Sequence, residues 1–281
     1  MRPGGFVPTG IVRFLGIRWV LAVREHFLLA DESGTHDQAI GTVVAGYLAT
    51  ETRWRLFRTR CIRAHAKARL SKPFHMTDFL APKNRDYAHL SGDERRALIQ
   101  TLTGGIICAR PVGFIAAVYR QQYEATLLPE LKRHIRDPYL FCFQLLLKIV
   151  LSRAAEFIPR GDRIAAIFET RPGMKGAAHA AYQEMRALHD PHGYLKSDCL
   201  LIEKREHPDL IAADILANRA SRFLGRPGLR MARRDDPVLY RLLANRHLKH
   251  HWKYYDAPML ADIQRRMLDE GIVKLKQVRD G

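Results

Sequence analysis

The stretch that decides the fold runs from His26 to Gly34 and reads HFLLADESG. A short apolar run that ends in turn-forming residues predicts a buried strand. Because side chains alternate between the two faces of a strand, we expect Asp31 and Glu32 to point to opposite faces. An unpaired buried charge is costly, so a carboxylate at the end of a central strand usually pairs with a cation or holds a metal ion. The alternative is an acidic pair that only forms the turn.

Four further runs predict the rest of the sheet. Residues 39–48 are apolar and β-branched and follow the first run closely, so the two runs predict an antiparallel hairpin. A third strand is predicted within residues 106–119, a fourth at 163–169 and a fifth at 199–202. The fourth run resembles the first, because it also ends in a carboxylate, that of Glu169.

The intervening segments predict helices. They lie at residues 51–70, 91–102, 121–134, 138–157 and 175–188, with a late helix that opens near Pro208. Ser91 and Glu94 form a capping-box pattern, and Gly104-Gly105 is expected to end that helix. The helix at 138–157 is apolar almost all round but contains Lys148 and Arg153, which favours a buried core helix over a membrane span.

Three carboxylates are candidates for one site. Asp31 and Glu169 each end a predicted strand, and Asp214 lies among small apolar residues of the late helix. If the first and fourth strands are neighbours, all three carboxylates can meet at one edge of the sheet. Hard divalent cations prefer oxygen ligands, and magnesium binds through a few carboxylates together with substrate phosphates. Two such ions can activate water and stabilise the leaving oxygen in phosphodiester cleavage.

Three neighbouring residues are secondary candidates. His75 and Asp78 lie three residues apart in a segment, FHMTDF, that is expected to be a loop. His75 is a candidate proton shuttle, and Asp78 or Glu32 is a candidate further ligand or water-orienting group. The alternative for His75 and Asp78 is a hydrogen bond that stabilises a local turn.

The charge balance points to a polyanionic partner. The chain has 281 residues, with 46 Lys and Arg against 29 Asp and Glu, a formal net charge of +17. Such an excess attracts nucleic acid, and less plausibly an anionic membrane surface. Residues 246–255, RHLKHHWKYY, alternate cations with aromatic rings, which suits phosphate contacts and base stacking. The alternative is an arginine-rich surface with no dedicated partner.

The four cysteines and the first 23 residues give weaker signals. The cysteines form no CxxC pair and are expected in the core of a protein from a reducing, cytoplasmic setting. The apolar run at 11–23 is too short and too charged to cross a bilayer. It lacks a clean apolar core followed by a small-residue cleavage site, which argues against a signal peptide. It is either a loosely attached tail or an extension that follows from a start codon placed too far upstream.

Four segments together resemble a known family. They are LLADESGT (28–35), FHMTDF (74–79), IFETRPG (167–173) and HPDLIAADILANRA (207–220). Their order is similar to that of the bacterial and phage family labelled domain of unknown function 3800, within the RNase H-like superfamily. The chain departs from the family pattern in having Glu169 where Asp is frequent, and Ala212 where Gln is usual.

The resemblance implies an α/β fold, namely an RNase H-like mixed sheet of five strands flanked by helices. It covers roughly residues 25–225, so that 1–24 are expected to be a poorly defined extension and 226–281 a basic helical extension. It also implies Asp31, Glu169 and Asp214 as ligands of Mg²⁺ or Mn²⁺.

The sequence therefore predicts a metal-dependent nuclease that acts on DNA or RNA. Two alternatives remain: a non-catalytic nucleic-acid-binding protein, and a partner-dependent component of a mobile-element or phage-defence system on the same fold. No GxSxG, GxxxxGK[ST] or strand-linked GxGxxG pattern is present, which argues against lipase, kinase and dinucleotide-binding chemistry.

Overall fold

Strands and helices alternate along the chain. The structure, a computed structural model, describes residues 11–14, 17–20, 24–35, 39–81, 84–135, 137–171, 173–203, 207–224 and 236–270. In these ranges the strands are β1 (Ile11–Phe14), β2 (Ile17–Val20), β3 (Glu25–Ser33), β4 (Gly41–Thr50), β5 (Val112–Tyr119), β6 (Arg163–Glu169), β7 (Leu200–Ile202) and β8 (Lys249–Tyr255). The helices are α1 (Glu51–Lys67), α2 (Met76–Leu80), α3 (Gly92–Ala109), α4 (Arg120–Thr126), α5 (Pro129–Ile135), α6 (Pro138–Phe157), α7 (Lys175–His189), α8 (Leu210–Leu224), α9 (Pro237–Leu243) and α10 (Ala257–Asp269).

The predicted hairpin forms the centre of the main sheet. Strands β3 and β4 pair in antiparallel fashion, with Asp31 opposite Ala45, and β5 pairs antiparallel with β4. The turn after β3 depends on Gly34, which has a φ of 73°. A Cβ there would overlap the Gly41 carbonyl oxygen, so this turn admits only glycine.

The first and fourth predicted strands are neighbours, as the site hypothesis requires. Strand β6 runs parallel to β3, with Leu29 opposite Ile167 and Ala30 opposite Phe168, and β7 runs parallel to β6. Among the described residues, the sheet has the order β7-β6-β3-β4-β5-β8. This arrangement confirms the predicted α/β class, a mixed sheet flanked by helices.

Helices cover both faces of the sheet with apolar side chains. On one face, α6 and α7 pack over the even-numbered residues of β3, such as Leu28 and Ala30. On the other face, α1, α3 and α8 pack over Leu29 and its neighbours. Helix α6 has the predicted bounds and is buried in the core, as expected. In the described part of the chain, no helix is both long and apolar enough to cross a membrane.

In the described ranges the sheet has six strands, whereas five were predicted. The sixth, β8, lies in the basic stretch that was expected to be helical, and it pairs parallel with β5. The sequence pattern for a strand was weak here because Lys249 and Lys253 interrupt the aromatic residues. These lysines are tolerated because β8 is an edge strand, where charged side chains can reach solvent.

Two predicted helix boundaries were wrong. Helix α3 continues through Gly104-Gly105 to Ala109, because Gly105 packs against the ring of Phe57 on α1. A Cβ on Gly105 would come within 3.2 Å of that ring, so the glycine permits a close helix contact and does not end the helix. The predicted helix at 121–134 is two short helices, α4 and α5, and α5 begins at Pro129.

Three of the four cysteines lie in the core, as expected: Cys61, Cys142 and Cys199. The expectation was wrong for Cys108, which is exposed near the end of α3. Of the N-terminal 23 residues, only 11–14 and 17–20 are described, and they form the antiparallel pair β1 and β2. The rest of that predicted extension lies outside the described residues.

A buried ion pair fastens α1 to the beginning of α8. Both Nε and Nη2 of Arg58 donate to Oδ2 of Asp209, at 3.0 and 2.6 Å. Asp209 is fully buried, and burial raises its pKa from 3.8 to about 6 although Arg58 opposes that change. The folded chain therefore binds the proton of the Asp209 carboxyl group more tightly than the unfolded chain does. The contribution of this protonation to the unfolding free energy is complete below about pH 4 and is lost as the pH rises through 6.

We predict that Asp209→Asn changes the pH dependence of stability. Between pH 5 and pH 8 the wild type should lose roughly 1.4 kcal/mol of unfolding free energy through Asp209, whereas the variant has no proton to release there. Urea denaturation at both pH values measures the difference. The exposed Asp93→Asn is the matched control. A variant and wild type that differ equally at the two pH values would contradict a raised pKa.

Candidate functional site

A cleft opens where β3 and β6 end. Its volume is about 630 Å³. The described residues that line it include four carboxylates and are otherwise mostly polar: Asp31, Glu32, Ser33, Gly34, Thr35, His75, Thr77, Leu80, Ala81, Glu169, Thr170, Asp214, Asn218, Ser221 and Arg222. Five of the six predicted site residues therefore share one cleft.

Strand β3 supplies the first two carboxylates. Asp31 is only 4% exposed, and its Oδ1 accepts a hydrogen bond from the backbone N–H of Glu32 at 2.7 Å. Glu32 is partly buried and follows Asp31 on the other face of the strand. Both still reach the cleft, because the strand ends here and its two faces open onto the same space.

The parallel neighbour β6 supplies Glu169. The last register pair of β3 and β6 is Ala30 opposite Phe168, so Glu169 comes next to Asp31 where the two strands continue. The parallel direction is what makes this possible, since both strands then present their carboxyl ends at the same edge of the sheet.

Helix α8 supplies Asp214. This carboxylate is 3% exposed, and its Oδ2 accepts a hydrogen bond from the backbone N–H of Met76 at 2.7 Å. Met76 is the first residue of α2, so Asp214 also fastens the FHMTDF segment beside the cleft. The small residues around Asp214 are explained by close packing, since Ala212, Ala213 and Ala217 are fully buried.

His75 lines the cleft, but Asp78 does not. The two residues flank the start of α2, a short helix where a loop was expected. Nδ1 of His75 lies 3.3 Å from Oδ2 of Asp78, an ion-pair distance without hydrogen-bond geometry, so Asp78 approaches the ring from outside the cleft. Asp78 itself lines a smaller cavity of about 150 Å³, next to Lys72. The backbone N–H of His75 donates to the hydroxyl of Tyr87 at 3.0 Å, which holds the segment in place.

Sequence reasoning missed the far wall of the cleft. Asn218, Ser221 and Arg222 lie on α8, four, seven and eight residues after Asp214. Residues at this spacing lie on one face of a helix, so the sequence after Asp214 already indicated that these side chains share a face with Asp214. This indication was missed because the polar residues of an amphipathic helix more commonly face solvent.

The cleft is strongly electronegative at its carboxylate end. Four carboxylates line it against a single arginine among the described residues. Burial raises the pKa of the nearby Tyr139 hydroxyl, and the negative charges of Glu32, Asp137 and Asp31 raise it further, while Arg171 opposes them. A divalent cation would relieve the mutual repulsion of these carboxylates.

The donor set suits a hard divalent cation, since it consists of carboxylate oxygens with hydroxyl and amide groups nearby. In the described part of the chain, however, no group of three or more His, Cys, Asp or Glu side chains has the arrangement of a metal site. The carboxylates share a cleft and do not form a closed cage, so a cation would have to draw them together.

The basic stretch at 246–255 is used largely for packing. The ring of His251 stacks on Phe114 at 5.3 Å, and Trp252 contacts Phe223 at 5.5 Å. Both rings therefore use one contact for internal packing while remaining only partly buried, and base stacking by this stretch stays a prediction. The ammonium group of Lys249 lies over the ring of Phe157, and Tyr254 remains about half exposed.

Comparisons with known proteins add little to this description. No protein-family model matches the chain, and no curated protein matches it. One match among solved structures is a chain of the complex of PCNA with RNase HII from Archaeoglobus fulgidus. It is 12% identical, with a TM-score of 0.35, and covers 92% of this chain and 97% of that chain. A likeness at this level is too weak to indicate a function, so the function has to be inferred from the residues of the cleft.

We predict that Asp214 stabilises the fold through its acceptor oxygen as well as lining the cleft. Asp214→Ala leaves the buried N–H of Met76 without its partner, which should lower the unfolding free energy by about 1–3 kcal/mol. Asp214→Asn keeps an acceptor oxygen and should cost clearly less. Chemical denaturation of the two variants measures this. Equal stabilities would show that the hydrogen bond to Met76 contributes nothing.

Proposed function

We propose that the chain is a divalent-metal-dependent nuclease that hydrolyses phosphodiester bonds of DNA or RNA in this cleft. The observation that carries the proposal is the convergence of four carboxylates, from β3, β6 and α8, on one cleft. These residues lie up to 183 positions apart in the sequence, between Asp31 and Asp214. Turn chemistry explains an acidic pair after β3, but it does not explain the arrival of two more carboxylates from other elements.

Asp31, Glu169 and Asp214 would hold the metal, as Mg²⁺ or Mn²⁺. When bound, the ion supplies an activated water and stabilises the oxygen that leaves from phosphorus. Burial of Asp31 and Asp214 fits this role, because a carboxylate shielded from water interacts more strongly with a cation. The hydrogen bonds that each accepts from a backbone N–H fix their orientation.

His75 would move the proton. Its ring lines the cleft, and Asp78 lies against Nδ1, which leaves the Nε2 side of the ring as the position for proton exchange. Glu32 would add a ligand or orient water, since it extends the carboxylate group of β3. Asp78 would act as a positioning residue and would not touch the substrate.

The net charge of +17 supports nucleic acid as the substrate. A polyanion is drawn to the protein as a whole, whereas the cleft itself is acidic and needs a cation to accept a phosphate. This combination favours binding that depends both on salt and on metal. We further propose that the chain is a divergent relative of the domain of unknown function 3800 family and acts in the cytoplasm.

The test is metal binding and cleavage by the wild type, Asp31→Asn and Glu169→Gln. We expect saturable binding of Mn²⁺ or Mg²⁺ in calorimetry, which both variants weaken. Cleavage of labelled single- and double-stranded DNA and RNA should fall by about 100-fold or more, since the metal contributes several kcal/mol to the barrier. Glu156→Gln, an exposed carboxylate at the end of α6, is the matched control and should behave as the wild type.

A second function is favoured by the charge alone. A non-catalytic nucleic-acid-binding protein would bind oligonucleotides with strong salt dependence, with or without a divalent ion, and would not cleave them. Cleavage that survives in both cleft variants would contradict the proposed active site. Cleavage that arises only in a reconstituted complex would identify a partner-dependent component.

A further inference from the structure

One wall of the cleft, formed by α8, carries a single carboxylate, that of Asp214. From Asp214 onward, α8 presents an amide, a hydroxyl and a guanidinium to the cleft, at Asn218, Ser221 and Arg222. At 1.5 Å of rise per residue, Asn218 lies about 6 Å and Arg222 about 12 Å further along the helix axis than Asp214. The cleft is therefore polarised, with its acidic groups at one end of this wall and a cation at the other.

Arg222 is available to an anion. Its neighbour Arg219 is mostly buried and pairs with Asp236 at 3.5 Å. In the described ranges, by contrast, no carboxylate forms an ion pair with Arg222, and its side chain lies at the exposed mouth of the cleft. A guanidinium in this setting can bind a phosphate through two parallel hydrogen bonds. The simpler alternative is that Arg222 only complements the negative end of the helix dipole.

Asn218 adds a second, independent observation. It is 9% exposed, and Nδ2 reaches only the hydroxyl of Thr77, at 3.4 Å. Its Oδ1 has no hydrogen-bond partner among the described residues. A buried amide with one end unsatisfied is costly, and such groups commonly serve a ligand. The amide can also turn over, so that Oδ1 accepts from Thr77 and Nδ2 becomes the unsatisfied donor.

We propose that Asn218 and Arg222 form a phosphate-binding subsite that holds a phosphate beyond the scissile one. The inference rests on the proposed function, because it takes the carboxylate end as the place of cleavage. It narrows the substrate to nucleic-acid chains with at least one further phosphate next to the reacting one, as opposed to mononucleotides or isolated phosphodiesters. The strand would then lie along α8, with one phosphate at the carboxylates and another at Arg222.

The test measures binding without cleavage. A fluorescent 20-nucleotide single strand of DNA is titrated in EDTA, by anisotropy, at several salt concentrations. Arg222→Gln should raise Kd about 3- to 10-fold and reduce the slope of log K against log salt by about 0.7, the value for one lost phosphate contact on a single strand. Asn218→Ala should raise Kd by a similar factor but leave the slope unchanged, because it removes no charge.

Arg160→Gln is the matched control, because it removes the same charge from an exposed residue that precedes β6, at the end of the sheet opposite to the cleft. Near-ultraviolet circular dichroism checks that each variant is folded. If Arg222→Gln and Arg160→Gln change Kd and slope equally, only the overall charge matters and the subsite is wrong. A wild type that does not bind the strand, either in EDTA or with Ca²⁺ in place of Mg²⁺, also overturns it.

The two proposals can fail separately. If the wild type does not cleave with Mg²⁺ or Mn²⁺ but the Arg222 and Asn218 effects hold, the subsite stands and the nuclease proposal falls. If the wild type cleaves but the Arg222 variant matches its control in EDTA, the nuclease proposal stands and the subsite is wrong.

Discussion

The parallel pairing of β3 with β6 is the constraint on which the rest of the structure depends. It brings the carboxyl ends of two buried strands to one edge of the sheet, so that Asp31 and Glu169 become neighbours. An antiparallel pairing would place the second carboxylate at the opposite end of its neighbour. The parallel direction in turn requires a long connection between the strands, and the buried helix α6 provides part of it.

Helix α8 completes the cleft and is held from both ends. At its beginning, Asp209 pairs with Arg58 of α1, and near its end Ser221 faces the tight Gly34 turn. Between these points the helix lies on β3 and β4 through small and apolar side chains. A helix fixed in this way can present one carboxylate, one amide and one guanidinium to the cleft at defined positions, which neither a loop nor an isolated helix could do.

Charge is distributed unevenly between the surface and the cleft. The protein as a whole carries a net charge of +17, yet four carboxylates line the cleft against one arginine among the described residues. The basic C-terminal stretch, which looks in the sequence like a nucleic-acid contact, contributes β8 to the sheet, and two of its rings pack on Phe114 and Phe223. Under the proposed function, the attraction for a polyanion would come from many exposed cations and the specificity from the cleft.

The sequence by itself determined the α/β class, the central hairpin with its Gly34 turn and the bounds of α6. It also singled out the carboxylates of Asp31, Glu169 and Asp214 as candidates. These features depend on the spacing of apolar residues and on turn-forming residues, which are local properties of the chain. Only the tertiary structure decided that five of the six predicted site residues share a cleft while Asp78 lies outside it. It also decided that 249–255 form an edge strand and that Asn218 and Arg222 face the carboxylates. These outcomes depend on strand order, register and helix rotation, which arise from contacts between residues far apart in the sequence.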